Sequence, residues 1–175
     1  MNPEDVFKSK SDKDNVGKYF GKFRAVVKKI DDPEKLGRIR VTCPDIYGKD
    51  MSPWAWPCLP YGGSDETGFF MIPEIESGVW LEFEQGCPTN PIWSGVWWTK
   101  PNDNNEVPDV ATAKYGKVKM IKTKSGHTIE FDDEANTIKV SNGQSGSYII
   151  IGSNVTVHSE GNIILECPNG IVDVR

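Results

Sequence analysis

The chain has 175 residues, of which 20 are Lys or Arg and 25 Asp or Glu, giving a formal net charge of -5. That length allows one domain or two small ones. The acidic balance, with a pI near 5.1, argues against a polyanion-binding surface unless charge is strongly segregated, so nucleic acid is not an expected partner. No stretch approaches the roughly 18 consecutive apolar residues of a membrane span. The opening MNPEDVFKSKSDKDN also lacks the apolar core of a secretory signal, which predicts a chain made in soluble form in the cytoplasm.

Residues 1–16 are polar, charged and without period, and read as a flexible arm that orders only against a partner. From residue 17 to 98 short runs rich in β-branched and aromatic residues alternate with Gly, Pro, Asn and Asp, the pattern of strands and turns, with no convincing helix. A first strand runs through Phe23, Ala25, Val27 and Lys29 and ends at Asp31-Asp32-Pro33. A second, Gly37 to Cys43, alternates Ile39 and Val41 with Arg38, Arg40 and Thr42, so the two form a hairpin. Further strands are expected at Trp54–Leu59, Phe69–Ile72, Val79–Phe83 and Ile92–Trp97. This many short strands would leave exposed edges in an open sheet, and an OB-type Greek-key barrel removes them economically.

Residues 99–116, with Pro101, Pro108 and clustered Asn and Asp, read as a linker. The segment 117–175 is poor in aromatic rings. Gly143, Gly152, Gly161 and Gly170 fall nine residues apart in it, and apolar residues alternate between them: Val155 with Val157, Ile163 with Leu165 and Cys167, Val172 with Val174. So few apolar side chains per segment cannot make a core within one chain. Short strands from three identical chains wound about one axis would bury them in a shared β-prism. A single β-meander with glycines at its turns is the alternative left open by spacing alone.

No cofactor or metal is expected. Cys43, Cys58, Cys87 and Cys167 include no C-x-x-C pair and read as reduced, half-buried residues. His127 and His158 belong to no metal-binding spacing and read as surface or turn residues. A hydrolase needs paired carboxylates or a nucleophile with its base, whereas Glu74, Glu76, Glu82 and Glu84 read as polar strand or turn members, and G-x-S-x-G, P-loop and dinucleotide motifs are missing. No catalytic residue is expected, and the chain reads as a non-enzyme. All six tryptophans, Trp54, Trp56, Trp80, Trp93, Trp97 and Trp98, lie in the proposed barrel. They raise the alternative of an OB module binding single-stranded nucleic acid or glycan on aromatic platforms. Residues 51–98 contain no Lys or Arg, however, so core and subunit-interface packing is the favoured reading of these rings.

DPEKLGRIRV (32–41), WAWPCLPYGG (54–63), GFFMIPEIESGVWLEFEQG (68–86) and CPTNPIWSGVWW (87–98) resemble, in order, the N-terminal OB domain of phage baseplate spike proteins, a family including baseplate assembly protein V and the VgrG spike of type VI secretion. IKTKSGHTIEFDDEANTIKV (121–140) is similar to the segment with which those spikes begin a triple-stranded β-helix. The resemblance implies an all-β chain, an OB barrel at 17–98 followed by an intertwined trimeric β-prism at 117–175. It implies a homotrimer in a virion tail baseplate or injection-system particle. The OB end would sit on hub or tube proteins, and the prism would be driven through the target cell envelope. The linker has no room for the lysozyme domain of some members, and the chain lacks the iron-binding H-x-H of others. Ile171, Val172, Val174 and Arg175 are then the expected interface for a separate PAAR-like tip protein.

Overall fold

The computed structural model describes residues 17–166 together with 168 and 172. The chain divides into two compact units, residues 1–106 and 107–175. Among the described residues no helix is long and apolar enough to cross a membrane.

The first unit is built on strands β1 (Phe23–Lys29), β2 (Arg40–Thr42), β3 (Trp56–Pro57), β4 (Gly78–Phe83) and β5 (Pro91–Trp97). They form one sheet in the order β2-β1-β4-β5-β3, antiparallel except for the β3–β5 pair. Ile39, just before β2, and Ala55, just before β3, exchange backbone hydrogen bonds of 3.1 and 2.8 Å. The two outermost strands are thereby joined and the sheet curls into a closed barrel, which removes its edges. Alternation places Ala25, Val27, Ile39, Val41, Val79, Leu81 and Trp93 in the barrel core, with Cys43, Ala55 and Phe83 completing it. Burial of each large apolar side chain contributes roughly 1.5–3 kcal/mol.

The expected hairpin of β1 and β2 is present, with Val27 opposite Val41 and a bulge before Lys29. Its turn is organised by Asp32, whose carboxylate accepts N–H bonds from Glu34 (3.1 Å), Leu36 (2.8 Å) and Arg38 (3.2 Å), and pairs with the Arg38 guanidinium at 2.6 Å.

Three expectations are corrected. Trp54–Leu59 contributes only the two-residue β3, because Pro53, Pro57 and Pro60 withhold ladder N–H groups. Phe69–Ile72 is not a strand. With the barrel closed by Ile39 and Ala55, no edge remains for it to join, and it lies in the long β3–β4 loop. The segment expected to lack helices holds α1 (Pro44–Tyr47), a single turn that begins with proline in its first turn and closes at Gly48.

In the second unit α2 (Asp109–Ala113) precedes β6 (Val118–Lys122), β7 (Thr128–Asp132), β8 (Thr137–Ser141), β9 (Tyr148–Ile151) and β10 (Val155–His158). These strands form an antiparallel meander, each paired with its sequence neighbour. Stretch 99–116 holds a 3₁₀ turn at Pro101–Asp103 and α2, and the division between the units falls inside it. Within one chain the ninefold glycines occupy turns: Gly143 follows β8, Gly152 lies between β9 and β10, Gly161 follows β10, and Gly170 is outside the described residues. Gly143 approaches the Gly126 backbone so closely that a Cβ on it would lie 2.3 Å from the Gly126 carbonyl carbon. Ile163 and Leu165, expected in a strand, lie in unpaired backbone.

Candidate interaction surfaces

Strand register sorts the meander into two unlike faces. Ile121, Ile129, Val140, Ile149 and Val157 form one cross-strand row, and Phe131, Ile138, Ile151 and Val155 form the next, on the same face. All nine are 38 to 68 % exposed. The opposite face carries Thr128, Glu130, Lys139, Ser141, Tyr148, Thr156 and His158 together with Met120 and Ile150, with Thr128 and Ser141 hydroxyls 2.6 Å apart and Lys139 over the Tyr148 ring. Val118 is the only buried apolar side chain described in this unit. A five-stranded sheet that is mostly polar on one side and apolar but uncovered on the other is half of a packed structure.

The first unit presents a groove of about 560 Å³ lined by Leu36, Pro57, Leu59, Tyr61, Phe69 and Phe70. Its walls are pre-formed. Leu36 projects from the turn held by Asp32, and the Phe70 ring comes within 3.7 Å of where a Gly37 Cβ would stand. Arg38 and Asp32 are both buried, and the Arg38 hydrogen bond holds the Asp32 carboxyl well below the usual carboxylate range. Arg38 also lies over the Trp56 ring at 5.2 Å.

The tryptophans divide by environment. Trp93 is core, its Nε1 donating to the Gly37 carbonyl at 3.1 Å. Trp80 and Trp97 are half-buried and in contact with each other, Trp54 is half-buried beside Arg38, and Trp56 and Trp98 are 50 and 61 % exposed. The carboxylates read as polar strand or turn members are so placed where their partners are seen: Glu76 binds Lys28 at 2.7 Å, and Glu82 pairs with Lys22 and Ser94, the Lys22 bond lowering its pKa.

The cysteines differ from one another more than expected. Cys43 is buried, and burial pushes its thiol up; Cys58 is exposed; Cys87 is half-buried, and the Thr89 hydroxyl lowers its pKa. All three are free, and Cys167 lies outside the described residues. His127 sits in the β6–β7 turn, and His158 ends β10, stacked on Tyr148 at 4.8 Å with Glu160 at 3.1 Å. Among the described residues no three His, Cys, Asp or Glu side chains gather as metal ligands would. Of the expected tip interface, Ile171, Val174 and Arg175 lie outside the described residues, as does the arm 1–16; Val172 is 48 % exposed. Sequence reasoning missed the groove, because its residues come from the β1–β2 turn, β3 and the β3–β4 loop, whose meeting depends on barrel closure.

A closed barrel of short strands with loop-borne apolar surfaces defines an OB-class interaction domain. Residues 23–98, which span all five of its strands, match the family model of the type VI secretion system/phage-baseplate injector OB domain. No curated protein matches the chain. The chain thus has a baseplate-related structural role, in a phage tail or secretion-system particle, where it associates with other baseplate components.

Proposed function

We propose that the chain is the central spike or hub subunit of a contractile tail baseplate or related injection system, working as a homotrimer. The observation that carries this reading is the uncovered apolar face of the second unit. Three such sheets, apolar faces inward, make a prism in which each copy supplies the cover the other two need, and the polar faces meet water. The work is then mechanical: apolar burial shared by three chains stiffens a needle, and no substrate bond is broken. Its barrels would sit on hub or tube proteins, with the N-terminal arm as one contact. Ile171, Val172, Val174 and Arg175 would meet a separate PAAR-like tip protein, and the assembly would pierce the target envelope.

The test is the solution mass of the full chain by light scattering at micromolar concentration. A trimer is expected. A monomer would overturn the reading and return attention to the exposed Trp56 and Trp98 as a platform for single strands or glycans.

A further inference from the structure

The β3–β4 loop carries a stiff hairpin of its own. Gly62 and Gly68 form a β-bridge, Phe69 N donates to Tyr61 O at 3.1 Å, and Thr67 N donates to Ser64 O at 3.0 Å across the tip. The two central residues of that turn, Asp65 and Glu66, have φ of +48° and +57°. Consecutive left-handed residues suit a tight primed hairpin turn, but there Asn and Gly are the unstrained choices. A Cβ on Gly62 would stand 2.7 Å from the Thr67 carbonyl oxygen, so the arms of the hairpin are locked together. The tip thus holds two carboxylates, with no partner among the described residues, beside exposed Tyr61, Phe69 and Phe70.

On the outer face of β1 and β4 lies a group of opposite character. The Arg24 guanidinium stacks over Trp97 at 4.9 Å and over Trp80 at 5.5 Å. Trp97 is itself fixed, its ring packed against Gly78 and its Nε1 donating to Val79 O at 3.1 Å. Arg24 has no hydrogen-bond or ion-pair partner among the described residues. A guanidinium oriented by two indoles, with its N–H groups unused, is pre-organised for a carboxylate.

We infer that the hairpin tip of one copy docks on the Arg24, Trp80 and Trp97 face of the next, so that the barrels themselves form a ring. The occupant is a second copy because of charge and symmetry. Two acidic tips facing one another repel, and residues 51–98 contain no Lys or Arg to neutralise them locally. The complementary charge stands on a different face of the same unit, and the two surfaces share no ring contact or hydrogen bond within one chain. Unlike patches on one molecule meet head to tail, and under cyclic symmetry that contact closes. Arg, Trp and Tyr are the side chains that dominate such contacts. The inference rests on the trimer reading above for the number of copies.

The test couples carboxylates to amines with a zero-length carbodiimide reagent in the full-length Arg24→Lys variant, which keeps the charge and supplies an amine. Covalent dimers and trimers are expected on denaturing gels, with position 24 joined to Asp65 or Glu66 by mass spectrometry. Their yield should fall several-fold when Asp65→Asn and Glu66→Gln are added. As a check independent of coupling, Arg24→Glu and Glu66→Arg should each lower the trimer's melting temperature, and the pair together should restore much of it. A trimer by light scattering without these links or this rescue would overturn the inference while leaving the trimer reading standing. A monomer would overturn both.

Discussion

Two aspartates do the same job at corresponding places in the two units. Asp32 accepts backbone N–H bonds from the turn that follows β1 and pairs with Arg38; Asp132 accepts those of Glu134 (3.0 Å) and Ala135 (2.9 Å) at the end of β7 and pairs with Lys114 at 2.7 Å. Both carboxyls are held below their ordinary range, first by the basic partner's hydrogen bond and further by backbone donors. A carboxyl lowered on folding stabilises the native state fully above its unfolded pKa of about 3.9, and that contribution declines as pH falls toward the folded value. Asp32→Asn should therefore lower the melting temperature by several degrees at neutral pH, with the gap to the parent chain narrowing below about pH 4. Thermal melts of both proteins at neutral and strongly acidic pH check this. A gap unchanged in acid would mean that the loss comes from the turn's shape and not from its charge. Gly143→Ala tests a steric constraint instead. Its Cβ would collide with Gly126 backbone, which cannot rotate aside, so a loss of about 1–3 kcal/mol is expected in denaturant unfolding.

At the scale of elements, the barrel is held by Trp93 as much as by its ladder. The ring fills the core from β5, and its Nε1 satisfies the Gly37 carbonyl at the base of the β1–β2 turn. Trp93→Phe should retain most of the packing but orphan that carbonyl, costing about 1–3 kcal/mol, whereas Leu81→Ala should cost about 2–5 kcal/mol by opening a cavity. Denaturant midpoints for the two variants measure both. Strands β1, β4 and β5 were legible in the sequence because one face is buried and the other wet, so alternation records their fate directly: Ala25 and Val27 inward, Arg24 outward. The β3–β4 loop was not legible. Phe69, Phe70 and Met71 carry strand propensity, but propensity cannot say whether a free edge exists, and the barrel closes without them. The groove and the Arg24 clamp were hidden for a similar reason, since each assembles residues far apart in sequence. In the second unit, alternation at Val155 and Val157 marked β10, while β7, β8 and the end of β6 came into view through the resemblance of residues 121–140 more than through pattern, and β9 at Tyr148–Ile151 was marked by neither.

For the whole molecule, the decisive quantity is the apolar area that one chain leaves uncovered. Full burial of a Val or Ile side chain contributes roughly 1.5–3 kcal/mol, and the nine side chains on the meander's apolar rows retain 38 to 68 % of their exposure in a single chain. Association can therefore recover much of this stabilisation, and the melting temperature of the full chain should rise with protein concentration. Symmetry sharpens the test. Ile149 lies in the central part of the apolar face, flanked by Val140 and Val157. An aspartate there would appear once per chain, so a threefold prism would have to desolvate three carboxylates near its axis, each without a partner and each repelling the others. Ile149→Asp should abolish the trimer expected by light scattering. Lys139→Asp, on the opposite face of the neighbouring strand β8, changes charge by a larger amount but places it in water and should leave the mass unchanged. If the two variants behaved alike, the apolar face would not be the seam, because association through that face buries position 149 and leaves position 139 in water.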